Sequence, residues 1–300
     1  MDGGRYLMIV TSAPLKGDDA LSLKSIVDVS KAHEPLEDKP LKVQPAAWPS
    51  NRGGLVFLWE DARSVNGVFH AQSSTLRQFR IARQSGPAAM DRYGRMAPQR
   101  GRFGTGFFSQ TGKGEQFADV VAANAFTLEA TIQPTDLTQS KPEFPARIVN
   151  CSAWHDGDWV FMLGQQKDRL LFSIRTTDNF LNMEGQRVKE NLHGRAPLYE
   201  IATLSDTQPH HVVVTYVPGH LIAYMDGQKC FEKDLTGNLQ WGFGELCFGD
   251  NHNGGRHGWL GALEGVAMYS RALGPDEVKD NAQAYLEKVA QLQDDAAGAG

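Results

Sequence analysis

The sequence predicts an all-β protein made of two stacked antiparallel sheets, with an amphipathic helix at its C-terminal end. Two apolar-rich runs, His210–Val217 and Leu221–Met225, are separated by Pro218-Gly219, and Asp226-Gly227 supplies the turn of the next hairpin. Strand-like runs recur along most of the chain at intervals of roughly ten residues with turn residues between them, as in a sandwich or barrel. The 31 glycines and 15 phenylalanines fit a turn-rich β protein better than a helical one. Such a sheet is expected to bury one face and wet the other, and to offer rim loops for binding.

Three hundred residues are enough for two average domains or for one large all-β domain with attachments, and a 41% apolar fraction is enough for a core. A net charge of -5 argues against a surface devoted as a whole to nucleic acid. No apolar run approaches the ~20 residues of a bilayer span. Met1–Arg5 lacks the basic start and apolar stretch of a signal peptide. The chain opens directly into the apolar run Tyr6–Val10, so it reads as a piece of a longer exported protein with an extracytoplasmic location. Cys151, Cys230 and Cys247 have no C-x-x-C spacing and read as buried, inert thiols. A Cys230–Cys247 bridge stays open if their strands are neighbours.

Residues 1–50 read as a strand pair, Tyr6–Thr11 and Leu21–Val29, followed by a linker stiffened by prolines at 35, 40, 45 and 49. The main domain spans 51–273 and begins in the run Gly53–Trp59. Between 77 and 113 stand eight basic residues and one acid, Asp91, but their spacing favours no single face. That stretch reads as solvated loop and strand rather than an anion patch. Further strands are expected at Gly104–Ser109, Ala125–Gln133, Arg147–Ser152, Trp159–Gly164, Arg169–Thr176, Leu198–Leu204, Lys229–Lys233, Glu245–Gly249 and Trp259–Tyr269, with a long loop at 177–197. Over 274–300, Pro275, Asp276 and Glu277 open a helix, and Val278, Ala282, Tyr285, Val289 and Leu292 recur at its period, with a frayed tail after it.

Three of these segments, in order, resemble one family. Ala125-Phe-Thr-Leu-Glu-Ala-Thr-Ile-Gln-Pro134 is similar to an early strand written F-T-I-E-A-W-V-K-P. His210-His-Val-Val-Val-Thr-Tyr216 with Tyr224-Met-Asp-Gly227 resembles W-H-H-V-A-V-T-Y and L-Y-V-D-G. Gly258–Leu273 resembles the closing G-x-I-D-E-V-R-I-Y-N-R-A-L. The family is the laminin-G-like, concanavalin A-like jelly-roll superfamily. The resemblance covers residues 53 to 280 and implies two packed antiparallel sheets. It also implies a module that binds glycans or other proteins outside the cytoplasm, often as part of a larger bacterial protein. Pro209 replaces the usual tryptophan, and Glu264-Gly265 replaces the usual Asp-Glu pair.

Most motif residues are fold-makers: Val212, Val214 and Tyr216 face one way on a strand, Val213 and Thr215 the other. Adjacent His210 and His211 diverge and cannot chelate one ion from a regular strand. Glucan hydrolases with this sandwich need paired carboxylates, and their E-x-D-x-E string is absent; Glu60-Asp61 point to opposite faces, and Glu129 and Glu264 stand alone. No nucleophile elbow, P-loop or zincin motif occurs, so no catalytic residue is assigned. Two loops rich in oxygen ligands and indoles stand out, 154–159 and 249–259. A glycan or peptide site is expected to use Trp154, Trp159, Asp250, Asn253, Arg256, His257 and Trp259, with the three indoles converging on one cleft. Asp156, Asp158 and Asp250 are the candidate ligands for Ca²⁺, set against the plain turn chemistry of Asp, Asn and Gly. The expected role is a non-catalytic recognition module for a glycan or protein surface. Its rivals are a structural or adhesive domain, a glycoside hydrolase, and a nucleic-acid binder working through 77–102.

Overall fold

The computed structural model describes residues 48–60, 69–71, 79–83, 89–90, 96–97, 107–109, 117–139, 145–152, 159–179, 196–239, 241, 245–249 and 258–298. All of them belong to one compact unit, Ala46–Gly300. The strands expected at Tyr6–Thr11 and Leu21–Val29 lie outside the described residues.

The first strands are β1 (Leu55–Glu60), β2 (Phe69–Ala71), β3 (Phe79–Arg83), β4 (Ala89–Met90), β5 (Met96–Ala97) and β6 (Phe107–Ser109). After helix α1 (Ala118–Ala123) come β7 (Phe126–Pro134), β8 (Ala146–Ser152), β9 (Trp159–Gln166), β10 (Arg169–Ile174) and β11 (Tyr199–Thr203). The last are β12 (His210–Val217), β13 (His220–Met225), β14 (Gln228–Lys233), β15 (Glu245–Phe248), β16 (Gly261–Tyr269) and helix α2 (Pro275–Gly298). They form a jelly-roll sandwich of two sheets. One runs β14-β13-β12-β7-β16-β5-β4, with β1 also paired to β16; the other runs β11-β10-β9-β8-β15-β6-β3-β2. Every strand pair is antiparallel.

The core between the sheets follows from alternation. Phe126, Leu128, Ala130 and Ile132 of β7 and Val212, Val214 and Tyr216 of β12 meet Phe161 and Leu163 of β9 and Leu170, Phe172 and Ile174 of β10. At one end Phe117, Phe126, Phe161 and Trp241 interlock with ring centroids 4.9–6.2 Å apart. The Asp226-Gly227 turn has the two positive φ values, 52° and 78°, that a two-residue hairpin requires.

The first sheet departs from the expected one wet face. Its outer face is buried too, because α2 lies across it. Val278 and Tyr285 of the expected helical stripe join Trp48, Leu58, Val213, Tyr224, Ala267, Tyr269 and Leu273, Val289 packs against them, and Ala282 is buried too. The packed region therefore includes Trp48 and Pro49, both buried, inside the stretch read as linker. Arg271 fastens the helix start: its guanidinium forms a two-point pair with Glu277 at 2.7 Å, and its Nε donates to the Gly53 carbonyl. Glu277 also accepts from the Gly274 amide, half of a capping box.

The cysteines depart from expectation as well. Cys230 is exposed on β14, while Cys151 and Cys247 are buried in the other sheet. Strands of different sheets are not neighbours, so no Cys230–Cys247 bridge forms.

Candidate recognition site

The two outer faces of the sandwich differ in chemistry. On the first sheet, Glu129 in mid-β7 is fully buried. Its Oε1 accepts from His211 Nε2 at 2.6 Å and its Oε2 from Asn281 Nδ2 of α2 at 2.9 Å. The Tyr269 hydroxyl lies 3.1 Å from Glu129 Oε2 and 3.0 Å from the Asn51 carbonyl, and gives its one proton to one of them. Burial first, then the Glu129 charge, raises the Tyr269 phenol well above its ordinary range. Asn281 Oδ1 accepts in turn from Ser50 Oγ and the Asn51 amide. Strand, helix and N-terminal segment are thus joined through one carboxylate. This face is closed by the protein itself and is no site.

The outer face of the second sheet carries other residue types. Register places Cys247, Asn150, Met162 and Ser173 side by side on β15, β8, β9 and β10. Arg147 stands in the next row opposite Gly164, and Arg175 follows two residues beyond Ser173 on the same face. Trp159 lies across them. Its Nε1 donates to Ser173 Oγ at 2.7 Å, the Ser173 hydroxyl donates to the Ala196 carbonyl, and the Arg147 guanidinium covers the indole at 5.2 Å. The guanidinium, amide, hydroxyl and indole form a buried polar layer, in which the Trp159 N–H and the Ser173 O–H are both donated to protein acceptors. Glu200, at the edge of this face, is paired with Arg169 at 3.0 Å.

Three segments spring from strand ends of this same sheet: 153–158 between Ser152 and Trp159, 180–195 between Asn179 and Ala196, and 250–257 between Gly249 and Gly258. Trp154, Asp156, Asp158, Asp250, Asn253, Arg256 and His257 all fall on them and lie outside the described residues. Among the described residues no three His, Cys, Asp or Glu side chains gather as a metal site would require.

Two of the expected indoles are placed otherwise than anticipated. Trp259 is wholly buried between the sheets; its Nε1 donates to Gln165 Oε1 at 2.8 Å, and its ring abuts Gly261 so closely that a Cβ there would sit 2.2 Å from Cη2. Gln165 and Gln139 complete a buried amide pair that holds the Asp136, Lys167 and Leu260 backbones. Trp159 is 8% exposed and lies on the other side of β9. Trp159 and Trp259 therefore do not converge on a cleft: one is packed core, the other is part of the polar layer just described. The roots of the two loops are separate as well. Ser152 pairs with Trp159, whereas Gly249 bonds Ile148 and Gly258 bridges Arg147. Ser152 and Ile148 are four residues apart on β8, roughly 13 Å. Reading the sequence missed Arg147, Asn150, Ser173 and Arg175, which sit in runs that read only as apolar strands.

Residues 109–279, more than half of the chain, match the family described as the concanavalin A-like lectin/glucanases superfamily. The chain belongs to that superfamily. Among solved structures it is similar to the Trypanosoma rangeli sialidase in complex with sialic acid, with TM-score 0.51 and 18% identity over 77% of this chain and 33% of that one. It is similar also to the binding domain of Botulinum neurotoxin DC in complex with rat synaptotagmin II, with TM-score 0.53 and 8% identity over 78% of this chain and 52% of that one. A third is the binding domain of Paraclostridial Mosquitocidal Protein 1, with TM-score 0.53 and 13% identity over 78% and 53%. The chain spans a third of the sialidase and about half of each toxin domain, and at these identities the likeness is one of fold. No curated protein sequence matches the chain. Among the described residues no helix is long and apolar enough to cross a membrane.

Proposed function

We propose that the protein is a non-catalytic recognition module. It binds a carbohydrate or a protein surface through the outer face of its second sheet and the loops rooted there, as part of a larger extracytoplasmic protein. The observation that carries this reading is the asymmetry of the faces. The first sheet is sealed on its outside by α2 and an apolar cluster, whereas the outside of the second is polar, with Arg147, Asn150 and Ser173 buried there beside Trp159. In this reading the polar layer fixes the roots of the segments 153–158, 180–195 and 250–257, and those segments supply the contacts to the ligand. Similar folds in a sialidase bound to sialic acid and in a toxin domain bound to synaptotagmin II support a module of this general kind.

The test is binding to an array of neutral and acidic glycans, with and without calcium, by the wild type and an Asp250→Ala/Arg256→Ala variant. Binding of the wild type to one glycan class, weakened at least about tenfold in the variant, about 1.4 kcal/mol, is the expected result. Silence across the array in both conditions would overturn the carbohydrate form. Release of reducing sugar from any bound glycan would overturn the non-catalytic one.

A further inference from the structure

We propose that His210 is a proton-operated latch, closed by acid, that stiffens the hairpin on which α2 rests. His210 opens β12, and its side chain is 8% exposed. Its Nδ1 lies 2.9 Å from Asp226 Oδ2, and its Nε2 lies 3.3 Å from Asp206 Oδ1. Both carboxylates are fixed by other contacts. Asp226 Oδ1 accepts from the His211 amide, and the Asp226 amide donates to the His211 carbonyl. Asp206 accepts from the Gln208 amide and the Ser205 hydroxyl. Two acids from two separate turns therefore bracket one imidazole.

A neutral imidazole has a single N–H. Donated to Asp226, it leaves the Nε2 lone pair against a second carboxylate, acceptor facing acceptor. The 3.3 Å approach has no hydrogen-bond alignment, and Nε2 is without a hydrogen bond. A proton on Nε2 turns that contact into an ion pair and draws the 205–208 turn to the 226–227 turn. Among the described residues, other groups around the ring do not replace it. β7 places uncharged Ile132 opposite His210, β13 and β14 bring Met225 and Gln228 to the turn, and α2 lays Lys279 and Ala282 over Gly227. A Cβ on Gly227 would sit 3.2 Å from that of Ala282, so the latched turn is the floor under the first turns of α2.

The Asp226 hydrogen bond raises the His210 pKa above its ordinary value, and burial opposes it. A raised folded pKa adds stability that is complete below the unfolded value of about 6.5 and is lost as pH rises through the folded one. The Asp206 pKa is lowered, chiefly by the Gln208 amide, so its share is lost only on acidification through the carboxylate range.

Thermal melts of the full chain between about pH 5.5 and about pH 8.5, bracketing the ordinary histidine range, test the latch. Wild type should out-melt His210→Gln by about 2–4 °C at the acid end and lose that margin at the alkaline end. Asp206→Asn gives Nε2 an amide donor, so it should flatten the pH dependence and lower the His210 midpoint read by NMR. Parallel wild-type and His210→Gln curves would overturn the proposal. If His210→Gln does not fold, a wild-type His210 midpoint at or below that of free histidine, or one unmoved by Asp206→Asn, would overturn it.

Discussion

At the scale of single residues, Glu129 shows how a carboxylate is kept inside a strand. Its partners His211, Tyr269 and Asn281 are 82, 140 and 152 positions away in the chain. A lone Glu in an apolar run therefore reads only as a hydrogen-bonded structural acid or a surface residue. The sequence offers no signal for which side chains answer it, since each belongs to a different element. Asn281→Ala removes a donor to Glu129 and the acceptor for Ser50 and Asn51 together. Buried groups left unpaired cost about 1–3 kcal/mol each, more when charged, so a loss of about 3 kcal/mol is expected in urea unfolding. Asn281→Asp is nearly the same shape but sets a second carboxylate against Glu129, and should unfold at lower urea than Asn281→Ala near neutral pH. An Asn281→Asp protein as stable as wild type would show that the Asn281 amide contributes nothing at Glu129.

At the scale of elements, α2 was legible as a helix but not as a lid. Its opening Pro275-Asp276-Glu277 and its stripe Val278, Ala282 and Tyr285 are local features, and period 3.6 displays them. The face it covers consists of Val213, Tyr224, Ala267 and Tyr269, alternate residues of strands whose sequence reads the same whether their far side meets water or a helix. The short strands β2 to β5 were missed for a related reason: two to five residues give too few alternations to show a period of two. Helix α1 has no side-chain cap at its start, and burial of Val120 together with left-handed Asn124 at its end holds it in place of local signals. If α2 closes the face, a chain ending after Gly274 should be insoluble, or soluble only with strong binding of an apolar dye. Leu286→Glu, on the half-exposed side of the same helix, should change stability by no more than about 0.5 kcal/mol. A truncated chain that stays monomeric with native melting would show that α2 only rests on the sheet.

At the scale of the whole molecule, the fold could be read from turn spacing and three ordered motifs, whereas the arrangement of loops could not. Strand order decides which loops share a rim, and β15 returns between β8 and β6 from far along the chain. Residues 154–159 and 249–259 look alike in composition, yet their roots sit at different ends of β8. Trp159 and Trp259 fall on opposite sides of β9 because a β-bulge between Trp159 and Phe161 turns the first outward and the second enters the core beside Gln165. The same topology makes a claim about cooperativity. Trp48 and Trp59 reach the helix-side core and the inter-sheet core respectively, while Trp241 and Trp259 are deep in the latter. Glu129 and Asn281 join helix to sheet, and Arg271 joins the helix start to the entry of β1. With no apolar boundary left between helix and sandwich, the two should unfold as one. Helical circular dichroism and tryptophan fluorescence are then expected to share a single midpoint and width in urea. A helical signal lost at lower urea, ahead of the indoles, would mean that α2 undocks on its own and that the outer face of the first sheet can open while the sandwich stands.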